Sequence, residues 1–149
     1  MFKTILFFYL GLFLLFETQA QEKPVFSSLD VFKIEYAADP QISPNGNFVV
    51  YKRMKMDIIK DKPMGQLWLY NLITNEHTKL TSRESVESSP RWSPNGDRIV
   101  FTSPTKEGTE IFIYWLSTAK VAKISQLSAS PSGITWSPNG RSLAFSMFI

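Results

Sequence analysis

The sequence predicts an all-β fold: a partial β-propeller of two full four-stranded blades and half of a third, preceded by a signal peptide. Three observations carry this. The tetrapeptide Ser-Pro-Asn-Gly occurs three times, at Ser43–Gly46, Ser93–Gly96 and Ser137–Gly140. Each copy sits between apolar runs, which is a strong hairpin signal because Asn and Gly tolerate the positive φ of tight turns. The flanking runs also repeat: Leu67-Trp68-Leu69-Tyr70 aligns with Ile111-Phe112-Ile113-Tyr114, and Lys79-Leu80-Thr81 with Lys123-Ile124-Ser125, both at an offset of 44. A unit of about 40–45 residues holding four short strands is the signature of a propeller blade.

The first 20 residues are predicted to be a targeting segment. Lys3 gives a positive start, Ile5 to Phe16 is apolar, and Thr18-Gln19-Ala20 places small residues at a cleavage site before Gln21. The apolar run is shorter than the ~20 residues that span a bilayer, so a cleaved export signal is expected over an anchor. Residues 21–38 form a lead-in, with Ser28 expected to cap a short helix over Leu29 to Ile34. Residues 39–149 carry the propeller repeats.

Within each repeat the second strand is almost continuously apolar: Phe48 to Tyr51, Ile99 to Phe101, Leu143 to Phe145. That pattern predicts a strand covered on both faces, as neighbouring blades would do. The third strand is rich in β-favouring Trp, Tyr and Ile. The fourth, Thr78 to Thr81 and Val121 to Ser125, is short and polar, as an outer edge should be. Trp92 and Trp136 are expected at equivalent places between blades, packed on Phe101 and Phe145. Gly46 and Gly96 lie 50 residues apart and Gly96 and Gly140 lie 44 apart, so the first unit holds six extra residues within Met54 to Met64. The third unit stops before its third strand, and the sequence reads as the N-terminal piece of a longer protein. Such an unclosed piece is expected to associate through its open edges.

The chain has 149 residues, a formal charge of +3 and no cysteine, which excludes disulfides and cysteine zinc sites. Lys52, Arg53, Lys55, Lys60 and Lys62 cluster, but Asp57 and Asp61 sit among them. A solvated loop is expected there, and no nucleic-acid partner. Gly140-Arg141-Ser142-Leu143-Ala144 is the nearest match to a nucleophile elbow, yet Ser142 falls where the other repeats place Phe48 and Arg98. It is expected to be a strand residue, not a catalytic serine. His77, the single histidine, is expected in an exposed turn between the third and fourth strands. No catalytic, cofactor-binding or metal-binding residue is assigned from the sequence, and no cofactor is expected.

The lead-in Leu29-Asp30-Val31-Phe32-Lys33-Ile34, followed by Ala38-Asp39-Pro40-Gln41-Ile42 and the three turns, resembles the start of exported bacterial peptidases of the prolyl oligopeptidase family, acylaminoacyl-peptidase-like branch. Met56 to Asp61 resembles the same branch, and TolB-like propellers share the turn repeat. The resemblance covers residues 26–149. It implies a serine peptidase whose propeller gates and orients peptide substrates for an α/β-hydrolase domain with a Ser-Asp-His triad. That domain is absent from this sequence, so no triad residue can be placed. The implied location is periplasmic or secreted, with no membrane contact after signal cleavage. The alternative is a TolB-like periplasmic protein-binding propeller without enzyme activity.

Overall fold

A computed structural model describes residues 23, 25–83 and 85–148. The predicted export segment, residues 1–20, lies outside the described residues. Among the described residues, ten strands form two four-stranded antiparallel sheets and one hairpin. The first sheet runs β1 (Glu35–Ile42), β2 (Phe48–Asp57), β3 (Lys62–Asn71), β4 (Glu76–Lys79), in that spatial order. The second repeats it with β5 (Ser88–Trp92), β6 (Arg98–Pro104), β7 (Thr109–Trp115) and β8 (Lys120–Lys123). The hairpin pairs β9 (Ser132–Trp136) with β10 (Leu143–Ser146). These are two whole blades and half of a third.

The repeated tetrapeptide builds the same turn three times, but not the turn expected from Asn-Gly. The glycine amide donates to the serine carbonyl at 2.9, 2.9 and 2.8 Å, with Pro and Asn at the two central positions. Gly46, Gly96 and Gly140 have φ of 73°, 70° and 66°, whereas the asparagines do not enter the left-handed region. The loop is therefore four residues built on a turn with Pro preset at its first corner, not a two-residue turn. Asparagine contributes its side chain instead. Asn45 Oδ1 accepts from Ser43 Oγ (2.7 Å) and the Asn47 amide (3.1 Å), and Asn139 does the same for Ser137 and Arg141. In the second blade Asp97 takes the Ser93 hydroxyl at 2.7 Å. The serine hydroxyl then accepts the amide that closes the loop, from Phe48, Arg98 and Ser142. Ser142 thus ends a turn just before β10 rather than lying in a strand, and it is not an elbow.

Neighbouring blades meet through their inner strands, β1 against β5 and β5 against β9. Each inner strand carries a bulge at a left-handed residue: Asp39 (φ 48°), Ser89 (φ 55°) and Gly133 (φ 61°). These positions are equivalent in the repeat, and such bulges sharpen strand twist. Trp92 and Trp136 are equivalent as expected. The Trp92 indole N–H donates to the Gln41 carbonyl (2.9 Å) and that of Trp136 to the Arg91 carbonyl (3.1 Å), each reaching back one blade. Both rings are only partly buried. Trp92 packs on a cluster of Val50, Leu67, Leu80, Ile99, Phe101, Phe112 and Tyr114. Trp136 packs on Val100, Ile111, Ile113 and Ile134, not on Phe145, which is 39% exposed. Among the described residues β10 pairs with β9 alone, on an exposed two-stranded sheet.

Several boundaries differ from the expectation. The helix is a 3-10 helix, Ser28–Lys33, capped by Ser27 rather than Ser28. The Ser27 amide and hydroxyl both donate to Asp30, which excludes Ser28 from the capping role. β1 begins at Glu35, inside the expected lead-in, and β4 and β8 start earlier than read, at Glu76 and Lys120. The six extra residues do not form a loop. β2 and β3 have ten residues each where β6 and β7 have seven, so the insertion lengthens one hairpin by three residues per strand. Lys52, Arg53, Lys55 and Lys62 are consequently strand residues, because alternating side chains let a charged strand edge stay solvated. β6 is buried along Ile99 to Ser103, the doubly covered strand expected, whereas β10 is largely exposed.

Among the described residues, two glutamates are fully buried. Glu87 accepts from the Leu67 amide (2.9 Å) and the Thr81 hydroxyl. Glu110 accepts from the Ser125 hydroxyl and the Leu127 amide (3.2 Å). Thr81 and Ser125 are repeat equivalents, so both blades tie the segment just after their last strand to a buried carboxylate, though from different parts of the chain. Burial pushes the Glu87 carboxyl up. The Ser125 hydrogen bond holds Glu110 below the usual range.

Candidate functional site: the open face of the first blade

Strand alternation sends β2 side chains to opposite faces. Val50 joins the cluster against the second blade, and Lys52 Nζ reaches Ser88 Oγ at 3.5 Å. Val49, Tyr51, Arg53 and Lys55 take the other face. Their cross-strand partners on β3 are Tyr70, Trp68, Gln66 and Met64, and β4 sets His77 beside Tyr70 and Lys79 beside Trp68.

Two adjoining depressions mark this face. The first, about 390 Å³, is lined by Tyr36, Ala37, Pro40, Val49, Tyr51 and Tyr70 with His77, and is bordered by Glu35 and Arg53. His77 is a strand residue here, not the turn residue expected, because β4 starts at Glu76. Its ring stacks on Tyr70 with centroids 4.3 Å apart and a 16° interplanar angle, and its Nδ1 is hydrogen-bonded to the Tyr51 hydroxyl at 2.9 Å. Burial pushes the Tyr51 phenol up, the wrong direction for a base or nucleophile. The second depression, about 260 Å³, holds Arg53, Lys55, Lys79, Glu35, Met64, Gln66 and Trp68. Arg53 Nε donates to Glu35 Oε2 at 2.7 Å, and its guanidinium lies 4.7 Å from the Trp68 ring centroid. Lys55 and Lys79 have no carboxylate partner among the described residues.

This surface joins an aromatic depression to a cationic one. Its only imidazole is committed to two tyrosines, and Ser142 lies on the third hairpin. Among the described residues no three His, Asp or Glu side chains group as a metal site. The sequence reading missed the His77–Tyr51–Tyr70 cluster. The available signal was register: Tyr70 and His77 flank the β3–β4 turn and become direct partners once that turn is placed.

Residues 43–128 match the family described as dipeptidyl peptidase IV N-terminal region. The match runs from the first Ser-Pro-Asn-Gly turn to just past β8. The chain belongs to this family. An uncharacterized peptidase of Bacillus subtilis (strain 168), YuxL, is 30% identical over 81 residues, which is 54% of this chain and 12% of that protein. Pyrococcus horikoshii acylaminoacyl peptidase superposes with a TM-score of 0.67 at 23% identity, over 80% of this chain and 18% of that one. The β-propeller domain of the Trilobed protease from Pyrococcus furiosus gives 0.60 at 24%, over 76% and 34%. A putative TolB from Agrobacterium tumefaciens gives 0.59 at 19%, over 77% and 39%. The fold is that of peptidase and TolB propellers. The chain spans about an eighth of the length of YuxL.

Proposed function

We propose that this chain is the N-terminal propeller portion of an exported serine peptidase of the prolyl oligopeptidase family, acylaminoacyl-peptidase-like. The observation that carries the reading is the family match over residues 43–128, which covers β2 to β4 of the first blade and all of the second. The 30% identity to the peptidase YuxL supports it. In this reading the propeller restricts access to an α/β-hydrolase domain encoded further on, and it orients short peptides entering along its inner strands. The first two of those strands each carry a bulge and are joined by the Asp39–Arg91 pair (3.2 Å). Cleavage after Ala20 would deliver the protein to the periplasm or outside the cell.

The test is to express the coding sequence read past codon 149 and assay it with chromogenic aminoacyl and acyl-aminoacyl substrates, alongside a serine-directed covalent probe. Hydrolysis and labelling of a serine beyond Ile149 are expected. A longer product that ends after its last blade and labels with no probe would overturn the peptidase reading. It would favour the second reading, a TolB-like binding propeller, for which the shared fold with TolB speaks.

A further inference from the structure

The three Ser-Pro-Asn-Gly turns share a backbone but not their side-chain bonds. Each holds an asparagine followed by glycine, and such a pair can react with itself. The glycine nitrogen attacks the carbonyl carbon of the asparagine side chain, with no side chain of its own to obstruct the approach. In all three turns that nitrogen donates to the serine carbonyl, at 2.9, 2.9 and 2.8 Å, so the nucleophile is held alike. Asn45, Asn95 and Asn139 are all exposed. What differs is the electrophile. Asn45 Oδ1 accepts from the Ser43 hydroxyl (2.7 Å) and the Asn47 amide (3.1 Å), and Asn139 Oδ1 from the Ser137 hydroxyl (2.7 Å) and the Arg141 amide (3.0 Å). Around Asn95 the bonds run elsewhere. The residue after the glycine is Asn47, Asp97 or Arg141 in the three repeats, and Asp97 takes the Ser93 hydroxyl at 2.7 Å. A carboxylate is a stronger acceptor than a side-chain amide. That hydrogen bond holds the Asp97 carboxyl below the usual carboxylate range, so it stays ionised and keeps the hydroxyl. Among the described residues no hydrogen bond reaches the Asn95 side chain.

We infer that Asn95 is a site of self-modification, deamidating through a cyclic imide with Gly96 ahead of Asn45 and Asn139. The Gly96 nitrogen forms a bond to Asn95 Cγ, the Cγ–Nδ2 bond breaks, and the Gly96 amide proton leaves with Nδ2 as ammonia. Water then opens the imide at either carbonyl, which leaves aspartate or isoaspartate at position 95. Asn45 and Asn139 must give up two hydrogen bonds before their side chains can turn to the glycine nitrogen, which lowers the reactive population about tenfold. Exposure of the glycine ranks the turns differently, since Gly46 is exposed, Gly96 is half-buried against Pro44 and Gly140 is buried. The modified turn is one that holds the next blade. Arg98 reaches from it to the Gly140 carbonyl at 3.0 Å and lies 5.0 Å from the Trp136 ring centroid. Isoaspartate adds a main-chain methylene between Ser93 and Arg98, and either product adds a carboxylate near Asp97.

The full-length protein, read past codon 149 where the coding sequence continues, is incubated folded in mildly alkaline buffer. Peptide mapping by mass spectrometry follows the amide-to-acid mass gain at each asparagine, and an isoaspartyl methyltransferase labels the isoaspartate product. Asn95 should convert about tenfold faster than Asn45 and Asn139, and in urea the three rates should converge because the turns are gone. Two exchanges between repeats isolate the cause. Asp97→Asn should return the Ser93 hydroxyl to Asn95 and slow its conversion toward the rate of Asn45. Asn47→Asp should draw the Ser43 hydroxyl away and speed Asn45 toward the rate of Asn95. Each exchange installs a residue that another copy of the turn already carries at that position. Equal rates at the three sites of the folded protein overturn the inference. So does a lead by Asn45, which would give control to glycine exposure. A lead by Asn95 that persists undiminished in urea assigns the selectivity to local sequence instead. Exchanges that leave both rates unmoved overturn the role of Asp97.

Discussion

Replacing Trp92 by Phe isolates one inter-blade hydrogen bond. The indole N–H donates to the Gln41 carbonyl of the preceding blade at 2.9 Å, while the ring packs on the cluster around Val50, Ile99 and Phe101. Phenylalanine keeps most of the packing and loses the donor. A neutral hydrogen bond of this kind contributes about 1 kcal/mol net. The smaller ring forfeits roughly 20 Å² of buried apolar surface at a partly buried site, on the order of 0.5 kcal/mol. Trp92→Phe should therefore cost about 1–2 kcal/mol. Trp92→Ala removes the packing as well. A fully buried tryptophan would cost ~3–5 kcal/mol, and partial exposure places this one at about 2–4. Equilibrium urea unfolding followed by circular dichroism measures both, with the slope checked for constancy so that midpoints report stability. Trp136→Phe, with its 3.1 Å bond to the Arg91 carbonyl, should behave like Trp92→Phe. The reasoning fails if Trp92→Phe is neutral, since the reach-back bond would then hold nothing. It also fails if Phe and Ala variants are equally destabilised, since packing would then be irrelevant.

Ala119 has φ of 53°, where its repeat equivalent is Asn75 at φ 59°. A side chain costs roughly 1 kcal/mol in that region, so Ala119→Gly should stabilise the protein by about 0.5–1 kcal/mol in the same unfolding assay, and Asn75→Ala should destabilise it. The two buried glutamates should give opposite pH dependences. Glu87 is raised above the ordinary 4.5, so its contribution is full below that value and is lost as pH rises through the folded-state value. Glu110 is lowered, so its contribution is present above 4.5 and is lost as pH falls through the folded-state value. Unfolding midpoints across pH 3–8 should then rise at neutral pH for Glu87→Gln and fall for Glu110→Gln, relative to the parent; the opposite signs would refute the assignment.

By itself the sequence determined the blade. Three identical turns and an offset of 44 between apolar runs specify which strands pair, because a hairpin turn and a period-2 pattern act locally. They also placed Trp92 and Trp136 in equivalent roles. What local pattern could not decide was which backbone angle each turn residue adopts. Asn45 and Asn139 act through their side-chain acceptors, not through positive φ, and only the closed hydrogen-bond ring reveals it. Nor could it tell a ten-residue strand from a seven-residue strand with a loop, since Lys52 to Lys62 is equally polar in either. The bulges at Asp39, Ser89 and Gly133 share no residue type, so they have no sequence signature. The candidate site depended wholly on tertiary structure. His77 meets Tyr51 and Tyr70 only after β4 folds back in register. The same face looks like ordinary blade core until its neighbours are counted. Sequence sets which side chains alternate to a face, while the stacking of blades decides whether that face is buried like that of Phe101 or left open like that of Tyr36.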